Sequence, residues 1–137
     1  MLIDSNILIY SLTISSPKYR AAQFFLQKYQ QKLVIAHQNY LETLRVITHK
    51  KFPQPFEANA AQTAINEITM HATVIYPSQT TLAINQSLVK KYHITGTEIF
   101  DAYLVATALT NQVTTIATDN TKHLRKYQEI TLVNPFA

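Results

Sequence analysis

Short apolar runs rich in β-branched residues alternate with longer stretches in which apolar positions recur every three or four residues. The runs "LID" at 2–4, "KLVIA" at 32–36, "ATVIYP" at 72–77, "VTTIAT" at 113–118 and "EITLVN" at 129–134 predict five strands. Between them lie segments with helical spacing. "SNILIYSL" follows the first strand. "SSPKYRAAQFFLQKYQQ" predicts a helix with Ser16 as N-cap and Pro17 at its first position, with Ala21, Phe24, Phe25 and Leu26 as its apolar bulk. "HQNYLETLRVITHK" carries Tyr40, Leu44 and Ile47 on one face, with Leu41 beside them.

Two prolines in "KKFPQPF" at 50–56 predict a loop. "EANAAQTAINEITM" resumes a helix on Ala61, Ala64, Ile65 and Ile68, and "SQTTLAINQSLVKKY" predicts another with Ser78 as cap. "HITGTE" holds Gly96, the only glycine, and reads as mostly loop. "EIFDAYLVATALTNQ" gives a helix on Ile99, Ala102, Ala106 and Leu109. Strands alternating with helices of this length imply an α/β fold: a central, mostly parallel five-stranded sheet with helices on both faces. No repeat or linker interrupts the pattern, so residues 1–137 are expected to form one domain.

Composition narrows the class. Apolar residues make up 47% and charged ones 15%, as in a compact fold rather than a disordered chain. No apolar run reaches membrane-spanning length, and Asp4 interrupts the first one. Cysteine is absent, which removes disulfides and thiolate chemistry and fits a reducing, cytoplasmic setting. A single glycine cannot build a dinucleotide phosphate loop.

The charges are unevenly placed. Twelve Lys and Arg face eight acids, for a net charge of +4. All three aspartates, Asp4, Asp101 and Asp119, sit in or beside apolar stretches. Setting these and Glu42 aside leaves twelve basic side chains against four acidic ones, a net of +8. A basic body around a small acidic centre would attract a polyanion and offer it a cation site.

The predicted topology sends these four acids to one rim. Asp4 ends the first strand and Asp119 follows the fourth. Glu42 lies early in the helix leaving the second strand. Asp101 lies in the first turn of the helix that descends before the fourth strand. Ligands of open parallel sheets bind at this edge. Gathered carboxylates repel one another unless protonated or neutralised, and oxygen ligands without Cys or His partners suit Mg²⁺ or Mn²⁺. The chemistry implied is metal-assisted phosphodiester hydrolysis.

Each acid also has a plainer explanation. Asp4 and Asp119 suit caps or Asx turns, Glu42 a solvated helix face, and Asp101 the positive end of a helix dipole. Thr95 and Glu98 have the spacing of a capping box. Asn6 bonds local backbone or orients Asp4. The five histidines, His37, His49, His71, His93 and His123, show no metal-ligand spacing and read as surface or loop residues, with His123 nearest the candidate substrate path. Lys122, Arg125 and Lys126 follow Asp119 closely enough to meet phosphates. The tyrosines read mostly as packing residues.

With these motifs in order, "LIDSNILIY", "NYLETLRVI", "DAYLVATAL" and "TIATDNTKHL", the chain resembles PIN-domain ribonucleases, in particular the VapC-like toxins of type II toxin–antitoxin pairs. The resemblance covers essentially the whole chain. It implies a Rossmann-like three-layer PIN fold, Mg²⁺ or Mn²⁺ as cofactor, cleavage of RNA, homodimerisation, and a cognate antitoxin whose C-terminal segment covers the site. It carries the catalytic, metal-holding acids onto Asp4, Glu42, Asp101 and Asp119, with Asn6 and Glu98 in support. Asn120 and His123 stand where some members have a further acid, which bears on whether one metal or two are held. Two other functions compete: a catalytically silent PIN fold that binds RNA or a partner, and a receiver-like signalling domain. Against the latter, there is one acid at the first strand and none ending "KLVIA" or "ATVIYP".

Overall fold

The computed structural model describes residues 1–137. Five strands form one sheet: β1 (Leu2–Ile3), β2 (Val34–Ala36), β3 (Thr73–Ile75), β4 (Thr115–Ala117) and β5 (Thr131–Val133). Their order is β3-β2-β1-β4-β5, and every neighbouring pair is parallel. Seven helices connect them: α1 (Ser5–Leu12), α2 (Tyr19–Lys28), α3 (His37–Ile47), α4 (Ala58–Ile68), α5 (Thr81–Tyr92), α6 (Glu98–Thr110) and α7 (Thr121–Leu124). The order is not the 2-1-3-4-5 of receiver domains, so the receiver-like reading fails on topology.

Strand β1 has two residues, too few for its hydrogen bonds to hold it. Its side chains do that work. Leu2 and Ile3 are both 0% exposed but point to opposite faces, as a period of two requires. Leu2 joins Ala36, Ile116, Val105 and Leu88 in one core, beneath α5 and α6. Ile3 joins Ile35, Ala117, Ile7, Phe25 and Leu26 in the other, beneath α1 and α2. Full burial of each such side chain contributes about 1.5–3 kcal/mol. A third cluster, Ile47, Phe52, Ala61 and Ile65, locks α3 against α4 and the proline loop.

Several element ends differ from expectation, each for a local reason. Helix α2 starts at Tyr19 rather than Pro17; Ser16 instead accepts the Lys18 amide at 3.1 Å and closes a preceding turn. Helix α5 starts after Thr80, because Ser78 bonds Thr80 and Thr81 in the connecting turn. No capping box forms at α6: Thr97 precedes the helix, and Glu98 turns outward to Lys126 and His123. The faces differ too. Phe24 is 67% exposed while Ala22 takes its place inside. On α3 the buried positions are Asn39, Thr43 and Ile47 rather than Tyr40 and Leu44. Helix α6 buries Leu104 through Ala108 without a break, since it is wedged between the sheet and α5.

Candidate active site

The carboxyl ends of β1 and β4 lie side by side at the point where chain order reverses, the place where parallel sheets bind ligands. The Asp4 amide donates to the Ala117 carbonyl at 3.0 Å, which extends the β1–β4 pairing by one residue and fixes Asp4 at this rim. Asp4 is 8% exposed and fully engaged. Its Oδ1 accepts from the Ser5 amide at 2.8 Å, the N-cap bond of α1. Its Oδ2 accepts from Thr118 Oγ1 at 2.7 Å and from Asn6 Nδ2 at 3.0 Å. One oxygen of Asp4 thus caps α1, and the other is anchored to the end of β4 through Thr118 and to Asn6.

Glu42 reaches the rim from the second turn of α3. Ser5 Oγ donates to Glu42 Oε2 at 2.8 Å and lies 3.4 Å from Asp4 Oδ1, so one hydroxyl spans the two acids. Gln38 Nε2 donates to Glu42 Oε1 at 3.0 Å and to the Phe100 carbonyl at 3.2 Å, tying Glu42 to the start of α6. Asp101 stands in that first turn, half-buried, with no hydrogen bond from any protein donor.

The electrostatics identify which acids share one space. Burial pushes the Asp4 carboxyl above its ordinary range, against the bonds from Thr118 and Ser5, and the charges of Glu42 and Asp101 push it further. Burial also raises Asp101; His123 opposes this, and Glu42 and Glu98 add to it. Asp4, Glu42 and Asp101 therefore form one mutually repelling set drawn from three elements.

Asp119 stands at the same rim but with different company. Its carboxylate is paired with Lys18 and accepts from the Tyr10 hydroxyl at 3.1 Å. The Lys18 bond holds it below the usual carboxylate range. Its amide donates to Asn6 Oδ1 at 3.2 Å, so Asn6 links Asp119 to Asp4. Glu98 is paired with Lys126, and with His123 at 3.4 Å, and the Lys126 bond lowers its pKa. Lys126 is thereby occupied, while Lys122 and Arg125 are exposed on α7 and the turn after it.

The acids fit a hard divalent cation. The donor set is carboxylate oxygen with no Cys. Asp101 in particular is a shielded carboxylate with no partner of its own. No three His, Asp or Glu side chains converge tightly enough to ligate one ion directly. An ion here would take one or two of these carboxylates directly and reach the rest through its own waters, as Mg²⁺ does.

Ser5, Gln38, Thr118, Tyr10 and Lys18 belong to this network and were not singled out from the sequence. Ser5 and Thr118 flank Asp4 and Asp119 directly, so adjacency was an available signal. Lys18 lies 101 residues from Asp119, and no sequence pattern joins them.

A doubly wound parallel sheet with acids gathered at its switch point defines a class, and the family comparison agrees: residues 1–129 match the model of the PIN domain. The chain belongs to the PIN domain family. Solved structures share the fold over nearly the whole chain. A toxin–antitoxin complex from Klebsiella pneumoniae is 21% identical, with a TM-score of 0.69, covering 98% of this chain and 96% of its own. A VapBC complex from nontypeable Haemophilus influenzae is 16% identical at a TM-score of 0.70, covering 99% and 98%. VapC20 of Mycobacterium tuberculosis, described as a toxin cleaving the sarcin–ricin loop, is 11% identical at 0.69, covering 94% and 97%. No curated protein matches the sequence. No helix is long and apolar enough to cross a membrane.

Proposed function

We propose that the chain is a metal-dependent endoribonuclease, the toxin of a toxin–antitoxin pair. The observation that carries this is the set of Asp4, Glu42 and Asp101: two shielded carboxylates and a third, more open one, each within the field of the others, at the switch point of the sheet. In this reading they hold Mg²⁺ or Mn²⁺, and Asp119 completes the rim beside them. The ion, when bound, supplies an activated water and neutralises charge building on the phosphate. The protein supplies alignment. Asn6 and Thr118 fix Asp4, while Ser5 and Gln38 fix Glu42. Water oxygen bonds to phosphorus, the bond to the 3′ oxygen breaks, and that oxygen takes up a proton, leaving 5′-phosphate and 3′-hydroxyl ends.

The partners follow from the same reading. The net charge of +4 favours a polyanion, and the ribonuclease reading makes that polyanion RNA. One of the similar structures is described as a toxin–antitoxin complex and three others as VapBC or FitAB, which supports a cognate antitoxin here. Homodimerisation is supported by a patch of Leu41, Val74 and Tyr76, exposed to 57%, 42% and 60%, beside edge strand β3.

The test is cleavage of a mixed RNA pool with Mn²⁺, with EDTA, and by Asp101→Asn. Cutting that needs both the metal and Asp101 supports the reading. Mn²⁺ uptake by a folded wild type that cuts no RNA favours a PIN fold kept for binding.

A further inference from the structure

Lys18 is held as a functional cation would be. Beyond its pairing with Asp119, its ammonium lies 5.0 Å from the centre of the Tyr10 ring and 5.2 Å from that of Phe136. Those rings meet edge to face at 5.4 Å, making a cradle in which the charge is attracted by both π faces. Tyr10 also donates to Asp119, so the acid, the base and one wall of the cradle form a closed set. This set is fastened to the metal-holding acids through one residue, because Asn6 bonds the Asp119 amide on one side and Asp4 on the other. The Lys18 side chain is nonetheless 37% exposed. An ammonium has three donors, so pairing with one carboxylate oxygen leaves others for a ligand.

Two-cation nucleases place a second ion on the far flank of the phosphate, about 3.5–4 Å from the first. Here the carboxylate that would receive it already holds a positive charge. A divalent ion would have to expel Lys18 from its aromatic cradle or bind beside a like charge. We propose that Lys18 takes the second cation's place: the site works with one divalent ion, taken up in the shared field of Asp4, Glu42 and Asp101 with water completing its shell, and the Lys18 ammonium contacts the RNA phosphate. Asp119 is then a positioning residue for Lys18 rather than a metal ligand. This rests on the metal-dependent reading above and decides the number of ions that reading left open.

The experiment titrates Mn²⁺ against wild type, Asp119→Asn, Lys18→Gln and Lys18→Arg, following free Mn²⁺ by electron paramagnetic resonance. Binding of mixed-sequence single-stranded RNA is then measured across salt with Ca²⁺ in place of Mn²⁺. We expect one ion per wild-type chain and an affinity changed less than about twofold in Asp119→Asn. Lys18→Gln should keep that ion yet lose about 0.7 from the slope of log affinity against log salt, the share of one phosphate contact on a single strand. Lys18→Arg should restore the slope. Loss of an ion, or a tenfold weaker one, in Asp119→Asn overturns this proposal alone, as does an unchanged salt slope in Lys18→Gln. A wild type that takes up no Mn²⁺ overturns the metal-dependent reading itself, and this proposal with it.

Discussion

Thr118 Oγ1 donates to Asp4 Oδ2 at 2.7 Å, joining residues 114 positions apart across the seam between β1 and β4. Both are buried, Thr118 completely. The same hydroxyl accepts from the Asn120 amide at 2.9 Å and lies 3.2 Å from Asn6 Nδ2, so it is saturated. The bond fixes the direction of the Asp4 carboxylate and also ties the end of β4 to the end of β1.

Thr118→Val keeps the shape and removes the donor. The Asp4 carboxylate then stays buried with one bond fewer, which costs about 1–3 kcal/mol. The urea midpoint should fall accordingly, and the Asp4 pKa should rise further, since the largest influence opposing its burial is gone. An unchanged midpoint would show that Asn6 and Ser5 hold Asp4 without Thr118.

Asp101→Asn should abolish cleavage yet stabilise the metal-free protein. The Asp101 carboxylate receives no hydrogen bond, and burial with the charges of Glu42 and Glu98 outweighs the attraction of His123 and Lys126, so neutralising it removes a net penalty. The wild type should gain stability from Mn²⁺, about 2.7 kcal/mol at a concentration 100-fold above Kd. The variant should gain far less. Thermal melts of both proteins with and without Mn²⁺ read this directly.

The pH dependence has a definite sign. Asp4 and Asp101 have raised folded-state pKa values, so between the unfolded and folded values the folded chain binds more protons. Their contribution to metal-free stability therefore falls as pH rises through that interval. The Tm advantage of Asp101→Asn over wild type should widen as pH rises from the ordinary carboxylate range through the raised folded-state value, and level off above it. Mn²⁺ affinity of the wild type should rise over the same range, because the ion competes with those protons. A constant difference in Tm would show that Asp101 is not perturbed.

Ser5→Ala removes the hydroxyl between Asp4 and Glu42 and leaves the helix cap, which uses the Ser5 amide. A hydrogen bond to a charged group is worth about 1.5–3 kcal/mol, so cleavage should slow about tenfold or more if Glu42 loses its aim. Stability should change little, since Glu42 is only partly buried and keeps its bond from Gln38. Single-turnover rates alongside urea melts separate the two effects.

Tyr76→Glu places a charge in the exposed patch with Leu41 and Val74. Tyr76 also stacks on His37, with centroids 5.5 Å apart. If this face joins two copies, light scattering should show the wild type as a dimer and the variant as a monomer at equal concentration.

The alternation of apolar runs determined the α/β class, because strands buried on both faces need helices on both sides, while the strand order β3-β2-β1-β4-β5 came only with the folded chain. The same logic made the acids legible: an Asp at the end of an apolar strand, as Asp4 and Asp119 are, is expensive unless the rim uses it, and the direction of α3 and α6 brings Glu42 and Asp101 to that rim. Their partition was not legible. Asp119 differs from the other three only in what surrounds it, and Lys18, Tyr10 and Phe136 arrive from distant parts of the chain. Glu98 likewise matched a local capping pattern, but Lys126 and His123, brought alongside by α7, outcompeted the backbone for it.

Local patterns record what a residue's neighbours in sequence demand of it, and they sufficed for strands, helices and the rim that carries the acids. Which carboxylates repel one another, which is neutralised, and which single hydroxyl spans two of them depend on groups distant in sequence, 37 residues apart for Ser5 and Glu42 and 101 for Lys18 and Asp119. Those interactions fall off over a few ångströms, so only the folded chain decides them.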